Sequence, residues 1–317
     1  MKKIILFLII VLGLGLSSCS KEKSPNEVNV YMPDGTPALA LAKMLDEGFT
    51  YGDTKTNFHI VQASEIAARV GQDSCDLAIL PTTAAATLYQ AGKDLKLASV
   101  NVFGNLFITG PKEVSALEDL KGKRILTTGA TTLQMVEYVL KNNNIPYEES
   151  GEAVEGKVSI SIMNDASEII PLLKQSIMKN TELYGVLGEP QVTKAQGVIP
   201  ELKIAVDLQK EYKSITGYDG YPQACLIVKD AFVNQYRGYV DAFLEVLESN
   251  SFYLNQNTTK LPEVFKKHES NLANMTFTAD TIQRCNVRLE RSKTVKDSVK
   301  EYVKSLINKD LDDTFFL

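Results

Sequence analysis

The segment Asp76-Leu77-Ala78-Ile79-Leu80-Pro81-Thr82-Thr83-Ala84-Ala85-Ala86-Thr87-Leu88-Tyr89-Gln90-Ala91-Gly92 sets the pattern of the whole chain. Residues 77–80 are an unbroken apolar run, Pro81-Thr82-Thr83 is a polar turn, and Ala84 to Gln90 is helix-forming with Gly92 as its stop. A short apolar run closed by turn residues is a strand buried on both faces, as in a parallel sheet. The same order recurs upstream. Val28–Tyr31 runs into Pro33-Asp34-Gly35-Thr36-Pro37 and a helix from Ala38 to Leu45, with Gly48 as a stop. Thr36 is expected to cap that helix, with Pro37 at its first position, where a missing N–H costs nothing. Phe58–Val61 leads to Gln62-Ala63-Ser64 and the helix Glu65–Val70, with Ser64 the expected cap.

A second set begins near residue 102. Leu106–Thr109 is a strand, and Leu117 to Leu126 passes from a short helix into another. Thr127-Thr128-Gly129-Ala130-Thr131-Thr132 then opens the helix Leu133–Lys141. Val158–Met163 leads to Asn164-Asp165-Ala166-Ser167, Tyr184–Leu187 leads to Gly188-Glu189-Pro190, and Ala224–Val228 is one more strand. From Asp230 the pattern turns helical, over 231–253, 261–267 and 294–307. Strands alternating with helices at this spacing predict βαβ units. The fold class expected is α/β, in two lobes, each a mixed sheet flanked by helices, with a cleft between them.

In open α/β sheets ligands bind beyond the carboxyl ends of the strands. Here those ends carry Asp34, Gly35, Thr36, Ser64, Thr82, Thr83, Thr128, Gly129, Thr131, Asp165, Ser167 and Glu189. Hydroxyls, glycines and free N–H groups at helix starts suit oxyanions or polar oxygens, and capping the helix is a compatible role. The glycine turn at 128–132 has neither the Gly-Lys-Ser/Thr of a Walker loop nor Gly-x-Gly-x-x-Gly. Asp34 and Glu189, on turns of opposite lobes, could face a cationic ligand or serve as an acid–base pair, or simply lie at the surface. Tyr218 and Tyr221 precede the strand that returns to the first lobe and could stack on a ligand or pack the connection.

Composition narrows the functions. The chain has 317 residues, 44% hydrophobic and 23% charged, with a formal charge of -5, which excludes wholesale disorder and gives no sign of a nucleic-acid partner. His59, inside an apolar strand, is expected to be structural, and His268 to lie at an exposed helix end. Neither has neighbours for a metal site or a catalytic triad, so no metal or cofactor is expected. Lys293–Lys304 reads as a solvated outer helix face.

Lys2 and Lys3 precede an uncharged apolar run from Ile4 to Leu16, followed by Ser17, Ser18 and Cys19. A basic start, an apolar run too short to span comfortably and small residues at its end describe an export signal. Leu16-Ser17-Ser18-Cys19 resembles a bacterial lipobox, which implies cleavage before Cys19 and lipid on its sulfur. Removal of residues 1–18 leaves 32 basic and 39 acidic residues. Cys75, Cys225 and Cys285 then remain, an odd number with no short spacing, and read as buried apolar side chains; one bridge among them stays open.

Taken together, the lipobox, Pro33-Asp34-Gly35-Thr36-Pro37-Ala38, Leu80-Pro81-Thr82-Thr83-Ala84-Ala85, the Leu117–Ile125 segment, Gly185-Val186-Leu187-Gly188-Glu189-Pro190 and the ending Leu311–Phe316 resemble a family. It is that of the solute-binding lipoproteins of ABC importers, of the nitrate/sulfonate/taurine and thiamine-pyrimidine-precursor type. The resemblance implies a type 2 periplasmic-binding fold: signal 1–18, lipidated cysteine and tether 19–27, lobe one 28–101 and 229–317, lobe two 102–228. It also implies a monomer, anchored by lipid on the outer face of a membrane or in the periplasm. A small polar or anionic solute is its ligand, and a permease with its ATPase its partner. Carried over as ligand contacts are Asp34, Gly35, Thr36, Ser64, Thr82, Thr83, Thr128, Gly129, Thr131, Glu189 and Tyr221. Few arginines lie near these turns and there is no tryptophan, departures that weigh against a strongly charged dianion. Two alternatives share the fold: an enzyme making pyrimidine or menaquinone precursors, although the cysteine-rich metal motif of the pyrimidine type is missing here, and a sensor feeding a signalling receptor.

Overall fold

The computed structural model describes residues 23–72, 74–129 and 131–317. The signal segment and Cys19 lie outside the described residues.

The chain begins β1 (Glu27–Pro33), α1 (Thr36–Leu39), α2 (Ala42–Glu47), β2 (Lys55–Val61), α3 (Ile66–Val70), β3 (Leu77–Pro81), α4 (Thr82–Gln90) and β4 (Leu95–Val102). It crosses to β5 (Leu106–Gly110), β6 (Arg124–Thr128), α5 (Thr131–Asn142), β7 (Tyr147–Glu149), β8 (Val158–Met163) and α6 (Ala166–Met178). There follow β9 (Leu183–Gly188), α7 (Gln191–Val198), β10 (Lys203–Asp207) and α8 (Leu208–Thr216). It returns through β11 (Ala224–Lys229), α9 (Asp230–Gln235), α10 (Arg237–Glu248), α11 (Asn250–Gln256), α12 (Leu261–Lys266), α13 (Ala279–Cys285), β12 (Val287–Arg291) and α14 (Ser292–Ile307).

Two six-stranded sheets result, ordered β12-β4-β11-β3-β1-β2 and β10-β5-β9-β6-β8-β7. Each is mixed, and each is built by the same rule. β1 pairs in parallel with β2 and β3, and β6 likewise with β8 and β9. Beside the third strand lies one that has just crossed from the other lobe, antiparallel: β11 next to β3, β5 next to β9. Side chains alternate between faces along these strands. Ala78 and Leu80 join one core cluster while Leu77 and Ile79 join another, so β3 is buried on both sides. One cluster runs through both lobes, joining Leu80, Cys225 and Val299 of the first to Val136, Val186 and Tyr212 of the second.

Several expectations need correction. β11 belongs to the first sheet, so the second crossing falls before residue 224 and not at 229. The helical return contains β12, an edge strand whose Val-Arg-Leu-Glu-Arg sequence has the charge typical of sheet edges and hides it from an apolar scan. The helix expected over 231–253 is broken into three. Asn250 opens the third by bonding the backbone of Leu39 and Lys43 at the α1–α2 junction. The cap of α1 is Gly35, with Thr36 already helical, and α3 begins after Glu65 with no side-chain cap, leaving Ser64 exposed. Of the α14 face read as solvated, Val295, Val299, Tyr302 and Val303 are buried. His268 is half-buried and bonds the Leu45 carbonyl at 2.9 Å. His59 bonds Asn29 Oδ1 and stacks on Tyr31, a structural histidine.

The crossing segments pass close together. Gly220 has φ +88°, and a Cβ there would lie 2.2 Å from the Phe103 carbonyl oxygen, so only glycine fits. Among the described residues no helix is long and apolar enough to cross a membrane.

Candidate functional site

The residues expected to touch a ligand, Tyr221 excepted, lie at the carboxyl ends of strands. Asp34–Thr36 follow β1, Ser64 follows β2, Thr82 and Thr83 open α4, Thr128 ends β6, Thr131 opens α5 and Glu189 follows β9. Four of these turns meet across the seam between the lobes, in two contact sets.

In the first set, Thr83 of lobe one and Thr131 of lobe two share a hydroxyl–hydroxyl hydrogen bond of 3.1 Å. In the second, the Thr36 hydroxyl donates to the Glu189 carbonyl at 2.6 Å, and Asn105 Nδ2 donates to both Thr36 Oγ1 and the Glu189 carbonyl. Asn105 stands between the crossing and β5, so it ties a turn of each lobe to the connection itself. The Glu189–Pro190 peptide bond is cis. The Glu189 side chain is fully buried and accepts from Arg284 Nε at 2.6 Å, from the Thr193 hydroxyl and from the Thr193 N–H. Thr193 in turn bonds Thr281 of α13 at 3.0 Å.

Other expected residues behave differently. Asp34 faces its own lobe, accepting from Gly35 N–H, Ser270 Oγ and Asn271 N–H. With Asp34 and Glu189 both engaged in protein contacts, the structure lends no geometry to an acid–base pair. Ser64 and Gly129 are exposed, and Thr128 is half-buried. Tyr221 is fully buried, its ring against Gly104 and stacked on Tyr302 at 5.8 Å. Burial raises the hydroxyl pKa of Tyr212, Tyr221 and Tyr302, so all three are protonated donors at neutral pH.

Asn105, Thr193, Arg284 and Tyr302 escaped the sequence reading. Asn105 sits directly after Gly104 in a crossing, which is a legible signal once the crossing is known. Arg284 sits in Gln283-Arg284-Cys285 within a helix, and nothing local marks it as a partner of a residue 95 positions away.

Cys75, Cys225 and Cys285 are all free and buried, which closes the question of a bridge among them. Burial pushes the Cys75 and Cys225 thiols up to about 12. Among the described residues no group of three or more His, Cys, Asp or Glu could hold a metal ion. A hollow of about 500 Å³ lies at the crossings, lined by Gly104, Asp207, Lys213, Gly220, Arg284 and Asn286 among others. It contains none of the expected ligand contacts.

This is the periplasmic-binding-protein fold, and comparison with solved structures agrees. An ABC transporter structure from Parabacteroides distasonis has a TM-score of 0.74 at 21% identity, covering 92% of this chain and 99% of that one. The periplasmic aliphatic sulphonate binding protein SsuA of Escherichia coli gives 0.66 at 11% identity, covering 93% and 92%. The ligand binding component of an ABC-type import system from Staphylococcus aureus, with zinc bound, gives 0.61 at 13%, covering 92% and 97%. No family model matches the chain, and no curated protein does.

Proposed function

We propose that the chain is the extracytoplasmic solute receptor of an ABC import system, tethered by lipid on Cys19. It takes up a small solute between its lobes and presents the closed form to a permease driven by its ATPase. The observation that carries this reading is the meeting of helix starts from two lobes, Thr83 with Thr131 and Thr36 with Glu189. Such contacts form only when the lobes are together, so a solute bridging the same turns adds free energy to the closed state alone. Thr36, Thr82, Thr83, Thr128, Thr131, Glu189 and Tyr221 are the proposed lining. Asp34, Gly35, Ser64 and Gly129, at the same strand ends, form its rim. The three structural neighbours described above are binding or transport components, which supports the transport role over an enzymatic one.

Native mass spectrometry of the protein purified from its own membranes tests this. The expected result is a chain whose mass carries lipid at Cys19 and one non-covalently bound small molecule. A chain that binds none, and that no metabolite extract stabilises, refutes the reading.

A further inference from the structure

We propose that strand β2, at the free edge of the first sheet, is a docking edge for an extended acidic segment of a partner protein, added as one more strand.

An edge strand presents unpaired N–H and C=O groups, and proteins ordinarily blunt such edges with charge, brevity or irregular pairing. The two sheets end in β12, β2, β10 and β7. Three of these are blunted. β12 reads Val-Arg-Leu-Glu-Arg and slips register against β4, and β10 slips register against β5. β7 has only three residues, two of them glutamates. β2 differs. It keeps register with β1 over seven residues without a proline, and its lysine, Lys55, stands at the start. The Lys55 N–H donates to the Asn26 carbonyl and the Val61 carbonyl accepts from the Asp34 N–H, so Lys55, Asn57, His59 and Val61 face β1. Alternation then turns the N–H and C=O groups of Thr56, Phe58 and Ile60 to the free side.

A hollow of about 400 Å³ lies beside this edge, with Phe58, His59, Ile60 and Val61 in its lining. One bank is Arg69 of α3, and the other is Lys267, His268 and Glu269 just past α12. α3 and α12 join core clusters on opposite faces of the sheet, so the groove follows the edge between the two layers. Arg69, Lys267 and two imidazoles line it against one carboxylate, Glu269, in a chain of formal charge -5. Arg69 also pairs with Glu65 of its own helix, but that pair is exposed and worth little. The charge selects the occupant. A second copy pairing β2 with β2 would set these cations against their own counterparts. Acidic side chains on successive residues of an added strand instead reach Arg69 on one face and Lys267 on the other.

Residue-resolved hydrogen exchange of the full chain tests the proposal. The probes are an acidic heptapeptide, Thr-Val-Glu-Glu-Val-Thr-Thr, and its counterpart with two lysines in place of the glutamates. With saturating acidic peptide the Thr56, Phe58 and Ile60 amides should exchange about tenfold more slowly, and Asn57 and His59, already facing β1, should not change. Peptide affinity should fall about tenfold in Arg69→Glu and in Lys267→Glu. No protection by the acidic peptide, equal protection by the lysine peptide, or undiminished affinity in either variant overturns the proposal. So does protection of the three amides in the free chain that grows with its concentration, the mark of a second copy on the edge. None of these results touches the seam, so the receptor reading stands or falls separately.

Discussion

The Glu189 carboxylate accepts a hydrogen bond of 2.6 Å from Arg284 Nε, joining residues of opposite lobes. Glu189 follows β9 of the second sheet, while Arg284 belongs to α13 in the helical return of the first. The pair fixes one flank of the seam, and the Thr83–Thr131 bond fixes another.

Breaking that pair strands a buried carboxylate. Arg284→Met is expected to destabilise the closed protein by about 2–4 kcal/mol, below the top of the range for buried pairs because the arginine is partly exposed. Glu189→Gln in the same chain should recover part of the loss, because the lone charge is gone. Urea unfolding of the two single variants and the double variant measures the difference; a double variant no better than Arg284→Met contradicts the account.

Thr83 and Thr131 should couple. Thr83→Val and Thr131→Val each remove the shared hydrogen bond while keeping side-chain shape. The double-mutant cycle should show an interaction of about 0.5–1.5 kcal/mol. Additive effects would mean that the two hydroxyls do not meet in solution.

The carboxyl-terminal segment is a structural lock. Phe315 is fully buried against Tyr89, and the Leu317 N–H donates to the Leu97 carbonyl. Phe315→Ala should cost about 3–5 kcal/mol in chemical denaturation. Lys300, and then Lys296, hold the Asp313 carboxyl at about 2, below its ordinary 3.8. A depressed carboxyl favours the folded state above its ordinary value, and the advantage disappears as pH falls through its folded value. The melting temperatures of wild type and Asp313→Asn should therefore differ at neutral pH and converge in that acidic window.

Two glycines with positive φ should respond unequally to alanine. At Gly35, φ is +104° but a Cβ would meet nothing within 4 Å, so the cost is backbone strain alone, about 1–3 kcal/mol. At Gly220 the Cβ would collide with the Phe103 carbonyl, and Gly220→Ala should cost clearly more and disturb the crossing. Equal melting temperatures for the two variants would contradict the close approach of the crossings.

The strand–turn–helix syntax was legible because β3 and β9 are short, mostly apolar and largely buried runs, closed by Pro81 and Gly188. The turns that meet at the seam were legible for the same reason, since a strand's carboxyl end is where the chain must bend. Long-range partners were not. Arg284 and Tyr302 lie on amphipathic helices whose pattern describes only which face is buried, not what it is buried against. β12 was hidden by its own charge, and the break before Asn250 depends on a side chain reaching α1 and α2.

The most direct test is a crystal structure of the protein as purified from its own membranes. The account predicts density for one small molecule in the seam, touching Thr82 or Thr83 on one side and Thr128 or Thr131 on the other. Density confined to the hollow beside Asp207 and Asn286, with the seam closed on itself, would contradict it.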